Sequence, residues 1–121
     1  MATFSKVLLS GSTGGRQIKV AATATPGTTV HATGTSSSVI DEVWIYAVNS
    51  SASDVKLTIE YGGTTSPDYL VEYTVKAESG LYLIVPGLLL SGTGAAARTV
   101  TAFAATADVV MVSGYVNRIT P

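Results

Sequence analysis

Cysteine is absent from the 121-residue chain, which excludes a disulfide framework, a thiolate nucleophile and a Cys-ligated zinc site. Charge is also scarce: 12% of residues are Asp, Glu, Lys or Arg, against about 25% in an average soluble domain. The basic residues are scattered from Lys6 to Arg118 without a run, and the net charge is −1. Counterion release on a phosphate backbone would therefore be small, and nucleic acid is not an expected partner. Long apolar runs are missing too. The longest, Leu81 to Leu90, is broken by Pro86 and Gly87 and is too short to span about 30 Å of hydrocarbon, so no membrane partner is expected. The opening MATFSKVLLSGS has no charged region followed by an adequate apolar stretch, so the product is expected to stay in the compartment where it is made.

Thr and Ser take the place of charge, at a quarter of the residues, alongside many Ala and Gly. Covering Thr hydroxyls and methyls costs much less desolvation than covering Lys or Glu, so this composition suits a surface meant to be buried in an assembly; it equally suits a merely Thr-rich β domain. At this length one domain is expected, and the size scaling leaves roughly 6,100 Å² exposed, about a third of the extended chain. A core without staples is feasible.

Apolar and polar residues alternate with period two, β-branched and aromatic residues fill the runs, and no stretch holds a 3.6 period. The expected strands are 4–9, 17–23, 28–33, 42–49, 55–61, 69–76, 81–85, 98–105 and 109–119. Between them lie turn signals such as GSTGG at 11–15, TPG at 25–27, NSSAS at 49–53 and GGTTSPD at 62–68. Eight or nine short strands at this spacing predict an all-β fold, an antiparallel β-sandwich or jelly roll. A single domain over 1–121 is expected, with 1–16 as an extended N-terminal arm.

Charge fixes one hairpin register. Pairing Glu60 with Glu72 would also oppose Lys56 and Lys76, whereas a two-residue slip sets Thr58 opposite Glu72 and Asp54 opposite Lys76. The second register is predicted, with Leu57 across from Tyr73 and Tyr61 across from Tyr69. In EVWIYAVN, LYLIV and VVMVSGYV both strand faces are apolar. Each is expected to be covered on both sides, by the sandwich interior and by either a subunit contact or a loop.

Catalytic signatures are weak. His31 is the single histidine; with no nucleophile elbow in the chain it is expected to be a partly exposed strand residue. Asp41 and Glu42 should point to opposite faces of one strand. Glu60 and Glu72 are the only carboxylates expected to approach across a sheet, on a solvated face. GTGAAA at 92–97 fits a loose dinucleotide pattern, but a strand pattern follows it, so it reads as a turn. Neither a cofactor nor a metal is expected, and no catalytic residue is assigned. Trp44, Tyr46, Tyr61, Tyr69 and Tyr73 would suit a sugar-stacking platform. Their phase with aliphatic neighbours favours core packing instead.

The stretches DEVWIYAVNSSASDVKLTIEYGGTTSPDYLVEYTV, GLYLIVPGLLLSGTG and VTAFAATADVVMVSGYVNRI resemble small virion proteins of tailed bacteriophages, whose Thr/Ala/Gly-rich β-sandwiches coat or complete the head. The likeness runs from about Lys6 to the end and carries no diagnostic motif. It implies a non-enzymatic capsid decoration, or cement, protein on the virion surface, made in the host cytoplasm. The implied partners are the major capsid protein and further copies of the chain, as a homotrimer, with no small-molecule substrate. Shell contact is expected in the segment from Ala2 to Ser10, including Phe4, and in a GLLLSG loop carrying Leu88, Leu89 and Leu90. Plugging the end of the sandwich is the other role open to these leucines. A head-to-tail adaptor, a fibre-associated protein and a carbohydrate-binding module are the alternatives.

Overall fold

The computed structural model describes residues 2–121. Its strands are β1 (Thr3–Leu8), β2 (Ile18–Lys19), β3 (Thr28–Ala32), β4 (Ile40–Asn49), β5 (Val55–Tyr61), β6 (Leu70–Val75), β7 (Tyr82–Ser91), β8 (Thr99–Ala104) and β9 (Val110–Thr120). They form two antiparallel sheets. One has the order β1-β9-β4-β7, with the short β2 also on β9, and the other β3-β8-β5-β6. This is the all-β sandwich that the period-two pattern predicts.

The core lies between the sheets and is built mainly of valine. Val43, Ile45 and Ala47 of β4, with Val112 and Val116 of β9, are buried on one side, and Leu57, Ile59, Val100, Ala102 and Ala104 on the other. Every second residue of β4 is buried, as the pleat requires of a strand with one face to the interior. The folded chain exposes 6195 Å², close to the expectation from its mass.

The β5–β6 hairpin adopts the charge-selected register: Thr58 opposes Glu72 and Leu57 opposes Tyr73. The Tyr61 amide donates to the Tyr69 carbonyl, and Lys76 Nζ lies 3.3 Å from Asp54 Oδ2. Lys56 reaches Glu72 diagonally at 2.9 Å, a second opposite-charge contact across the hairpin.

Two strands differ from expectation. β2 keeps only two ladder residues, because the chain leaves β9 after Val20 and passes to β8, where Ala104 donates to the Ala22 carbonyl. β7 runs on through Pro86 and Gly87 to Ser91, so the expected GLLLSG loop is a strand. Pro86 is tolerated because β7 is an edge strand. Register shifts against β4 absorb the irregularity, and Gly87 has φ +79° with its backbone directly under the Trp44 indole. A side chain there would meet the ring at 2.8 Å.

The first strand is hydrogen-bonded along β9 over six residue pairs, Thr3↔Thr120 to Leu8↔Tyr115. Its side chains are nonetheless exposed on both faces except at Val7. Asn49 ends β4 by turning back: buried, it donates to the carbonyls of Ser53 and Val75 and accepts from the Ser51 amide, which shapes the NSSAS turn.

Candidate functional site

A buried polar chain ties the two sheets together at one end of the sandwich. His31, expected to be partly exposed, lies on β3 and Asp41 on β4, and both are about 1% exposed or less. His31 Nε2 is 2.7 Å from Asp41 Oδ2. On the other side of the ring, His31 Nδ1 accepts from the Ser10 amide at 3.0 Å. A backbone amide can only donate, so Nδ1 carries the lone pair and Nε2 carries the proton that goes to Asp41. Arg118 of β9 completes the cluster with a two-pronged grip on Asp41, Nε at 2.8 Å and Nη2 at 3.0 Å. Burial by itself would raise the Asp41 carboxyl; the bonds from Arg118 and His31 outweigh it and hold the group below the usual carboxylate range.

The order Ser10, His31, Asp41 looks superficially like a nucleophilic triad. The geometry departs from one. It is the amide of Ser10 that meets the imidazole, while its Oγ accepts from the Ala32 amide at 2.7 Å. The imidazole, at 0% exposure, has no ring nitrogen left to take a proton from a hydroxyl. This cluster is a cross-sheet brace, and the expectation of a partly exposed histidine is corrected.

Glu60 is a second correction. It lies on the outer face of its sheet, as alternation requires, yet is 1% exposed, because the loop before β3 folds over it. Thr101 Oγ1 donates at 2.6 Å and the Gly27 amide at 2.8 Å to Oε1, and Thr25 Oγ1 donates at 2.5 Å to Oε2. Burial pushes the carboxyl up, and these three bonds together more than reverse it, leaving the group below its ordinary value. Glu72 stays on the surface, bonded to Lys56, so the two carboxylates do not form a working pair.

The outer face of the five-stranded sheet carries exposed apolar, aromatic and polar side chains in register. Three lateral rows cross it. Phe4 pairs with Ile119, which pairs with Ile40; Lys6 with Asn117, which pairs with Glu42; Leu8 with Tyr115, which pairs with Trp44. The Trp44 and Tyr115 rings stack at 6.0 Å and 12°, and Lys6 Nζ sits 4.9 Å from the Tyr115 centroid. Trp44 and Tyr46 therefore face outward, opposite to the core placement expected for them. Among the rows, Phe4 and Leu8 are 71% and 55% exposed.

A groove of about 320 Å³ runs along this face, lined by Phe4, Ser5, Lys6, Glu42, Asn117 and Ile119. Glu42 Oε1 accepts from Asn117 Nδ2 at 2.9 Å and from Trp44 Nε1 at 2.8 Å. Those two bonds, Asn117 first, hold the Glu42 carboxyl below its ordinary value.

The four residues expected at an interface separate. Phe4 lines the groove on β1 and Leu89 continues the middle row on β7, opposite Glu42, so the two share a face, three strand spacings across (about 14 Å) and one row apart. Leu88 is exposed at the β7 edge, where its carbonyl accepts from Tyr61 Oη at 2.8 Å. Leu90 packs against the core, the plugging role.

Sequence reasoning left two residues of this face unmarked, Asn117 and Lys6. Their only signal was alternation on strands whose partners sequence does not reveal. Among the described residues no group of three His, Asp or Glu side chains is placed to hold a metal ion, and no helix is long and apolar enough to cross a membrane. No protein-family model, curated protein or solved structure matches the chain.

Proposed function

We propose that the chain is a structural virion protein of the capsid decoration type, which binds the outside of a phage head and stabilises the assembled shell, rather than an enzyme. The observation that carries the reading is the outer face of the five-stranded sheet. It presents Phe4, Leu8 and Leu89, each more than half exposed, around a stacked Trp44–Tyr115 pair. Exposed apolar groups on one rigid face mark a surface that a neighbour covers. The composition agrees, since a Thr-rich, weakly charged exterior is cheap to desolvate.

The mechanism in this reading is mass action. A protein that binds only the expanded shell stabilises that state by RT ln(1 + [L]/Kd), about 2.7 kcal/mol per site at a hundredfold excess over Kd. The partners are the major capsid protein and other copies of the chain, in a trimer at local three-fold positions. Mixing the purified protein with expanded and unexpanded heads tests this: binding confined to expanded heads, at a copy number that scales with the three-folds, is expected. Rings of six or twelve would favour a head-to-tail adaptor. A monomer with no affinity for either head form would overturn the proposal.

A further inference from the structure

We propose that Lys6 and Asn117 join through an intramolecular isopeptide bond, with Glu42 relaying the proton.

The three side chains stand in one row across three neighbouring strands, Lys6 on β1, Asn117 on β9 and Glu42 on β4. Direct cross-strand neighbours have Cβ atoms about 5 Å apart, well within the sweep of a lysine side chain. All three line the same groove. The orientation of the amide matters most. A carboxylate can only accept, so the bond from Asn117 to Glu42 identifies the NH₂ group as the one turned to β4. The departing nitrogen is thus turned to β4, 2.9 Å from Glu42 Oε1, while Lys6 stands on the strand at the other side of Asn117; its Nζ, now 4.9 Å from the Tyr115 centroid, reaches the carboxamide carbon by a rotamer change.

The step balances without any redox partner. Lys6, once its ammonium has given a proton to solvent, attacks Asn117 Cγ through the Nζ lone pair. As the Nζ–Cγ bond forms, Glu42 takes a proton from Nζ and passes it to Nδ2. The Cγ–Nδ2 bond then breaks and ammonia leaves. A primary amine and a carboxamide become a secondary amide and ammonia, and Glu42 is regenerated. Pre-set proximity makes such a coupling feasible within one fold, with no outside enzyme.

Two further facts single out this row. The chain has only two asparagines, and the other, Asn49, is buried with both ends of its amide bonded to its own turn. Among the described residues Lys6 has no carboxylate partner in an ion pair; it rests on an aromatic ring, beside the polar row. The fold also stands to gain, because β1 is exposed on both faces and a covalent tie to β9 would stop it peeling away.

Mass spectrometry of the full chain under denaturing conditions tests the bond independently of what the protein binds. The expected mass falls short of the sequence by one ammonia, and digestion yields a branched peptide joining the Lys6 segment to the Asn117 segment. Lys6→Arg and Asn117→Ala should each restore the full mass. Glu42→Gln should restore it too while leaving the circular-dichroism spectrum unchanged. Three outcomes would overturn the proposal: a full-length mass in the wild type after prolonged incubation; ammonia loss persisting in Lys6→Arg, which marks a cyclic imide at Asn117 alone; or the slight mass gain of hydrolysis to Asp.

Discussion

His31 Nε2 meets Asp41 Oδ2 at 2.7 Å across the gap between the two sheets, with both side chains about 1% exposed. Arg118 secures the carboxylate from a third strand, so one carboxyl group fastens β3, β4 and β9. Replacing it should be expensive. Asp41→Asn would set an amide against a guanidinium and an N–H that both need acceptors, and the expected loss is about 3 kcal/mol, the low end for a broken buried pair because Arg118 reaches solvent. Urea unfolding with an unchanged m-value measures it; a loss below about 0.5 kcal/mol would show the brace to be dispensable.

Acid should weaken the fold most through the two buried carboxyls. Asp41 and Glu60 both titrate below their ordinary values of 3.8 and 4.5 when folded. As pH falls, the unfolded chain therefore takes up protons first. Each group's contribution is complete above its ordinary value and disappears as pH drops through the folded one. Urea midpoints taken from about pH 6 down to about pH 3 should decline, and Glu60→Gln should flatten part of that decline. Equal slopes in wild type and variant would remove Glu60 from the account.

Leu89 and Leu90 are adjacent and should behave oppositely. Leu89→Asp alters a side chain 58% exposed and should change stability by no more than about 0.5 kcal/mol, while abolishing binding to expanded heads. Leu90→Asp drives a charge against the core and should unfold the domain. Thermal melts and head-binding assays on the two variants separate the roles; a Leu89→Asp protein that still binds would take this edge out of the interface.

Gly114 tolerates no side chain. Its φ is +152°, and a Cβ would overlap the carbonyl oxygen of Trp44 on the neighbouring strand. Gly114→Ala should cost about 3 kcal/mol or prevent folding, read as a lowered urea midpoint or insoluble expression; a wild-type midpoint would show that β9 can shift to make room.

Much of the architecture is written in local pattern. Each of the nine strands overlaps a segment that alternation marks, although β2 is cut short and β7 runs on to Ser91, and the β5–β6 register follows from four charges, because like-charge opposition is visible in the chain itself. What escaped depended on partners distant in sequence. Nothing near His31 announces that Asp41 will sit opposite it in another sheet. The alternation around Glu60 correctly places it on the outer face, yet the covering loop comes from residues 25–27, which sequence marks only as a turn. On β4 both faces are apolar, so periodicity could not choose between them. The smaller Val43, Ile45 and Ala47 went inward and the rings outward, since a core bounded by two sheets has room for compact side chains. Phe4 and Leu89 were legible as apolar residues in segments expected to be exposed; their sharing of one face follows only from strand order.

Thr3 and Thr120 are ladder partners at the rim of the larger sheet. Anything appended before the one or after the other would leave the body at a single point, so a short linker could close the chain into a circle. New ends could then be cut at the exposed 64–68 turn without disturbing the ladder between β1 and β9. A cargo fused at either original end would emerge beside Phe4, on the rim of the open face, whereas one fused at the new ends would emerge from the far sheet.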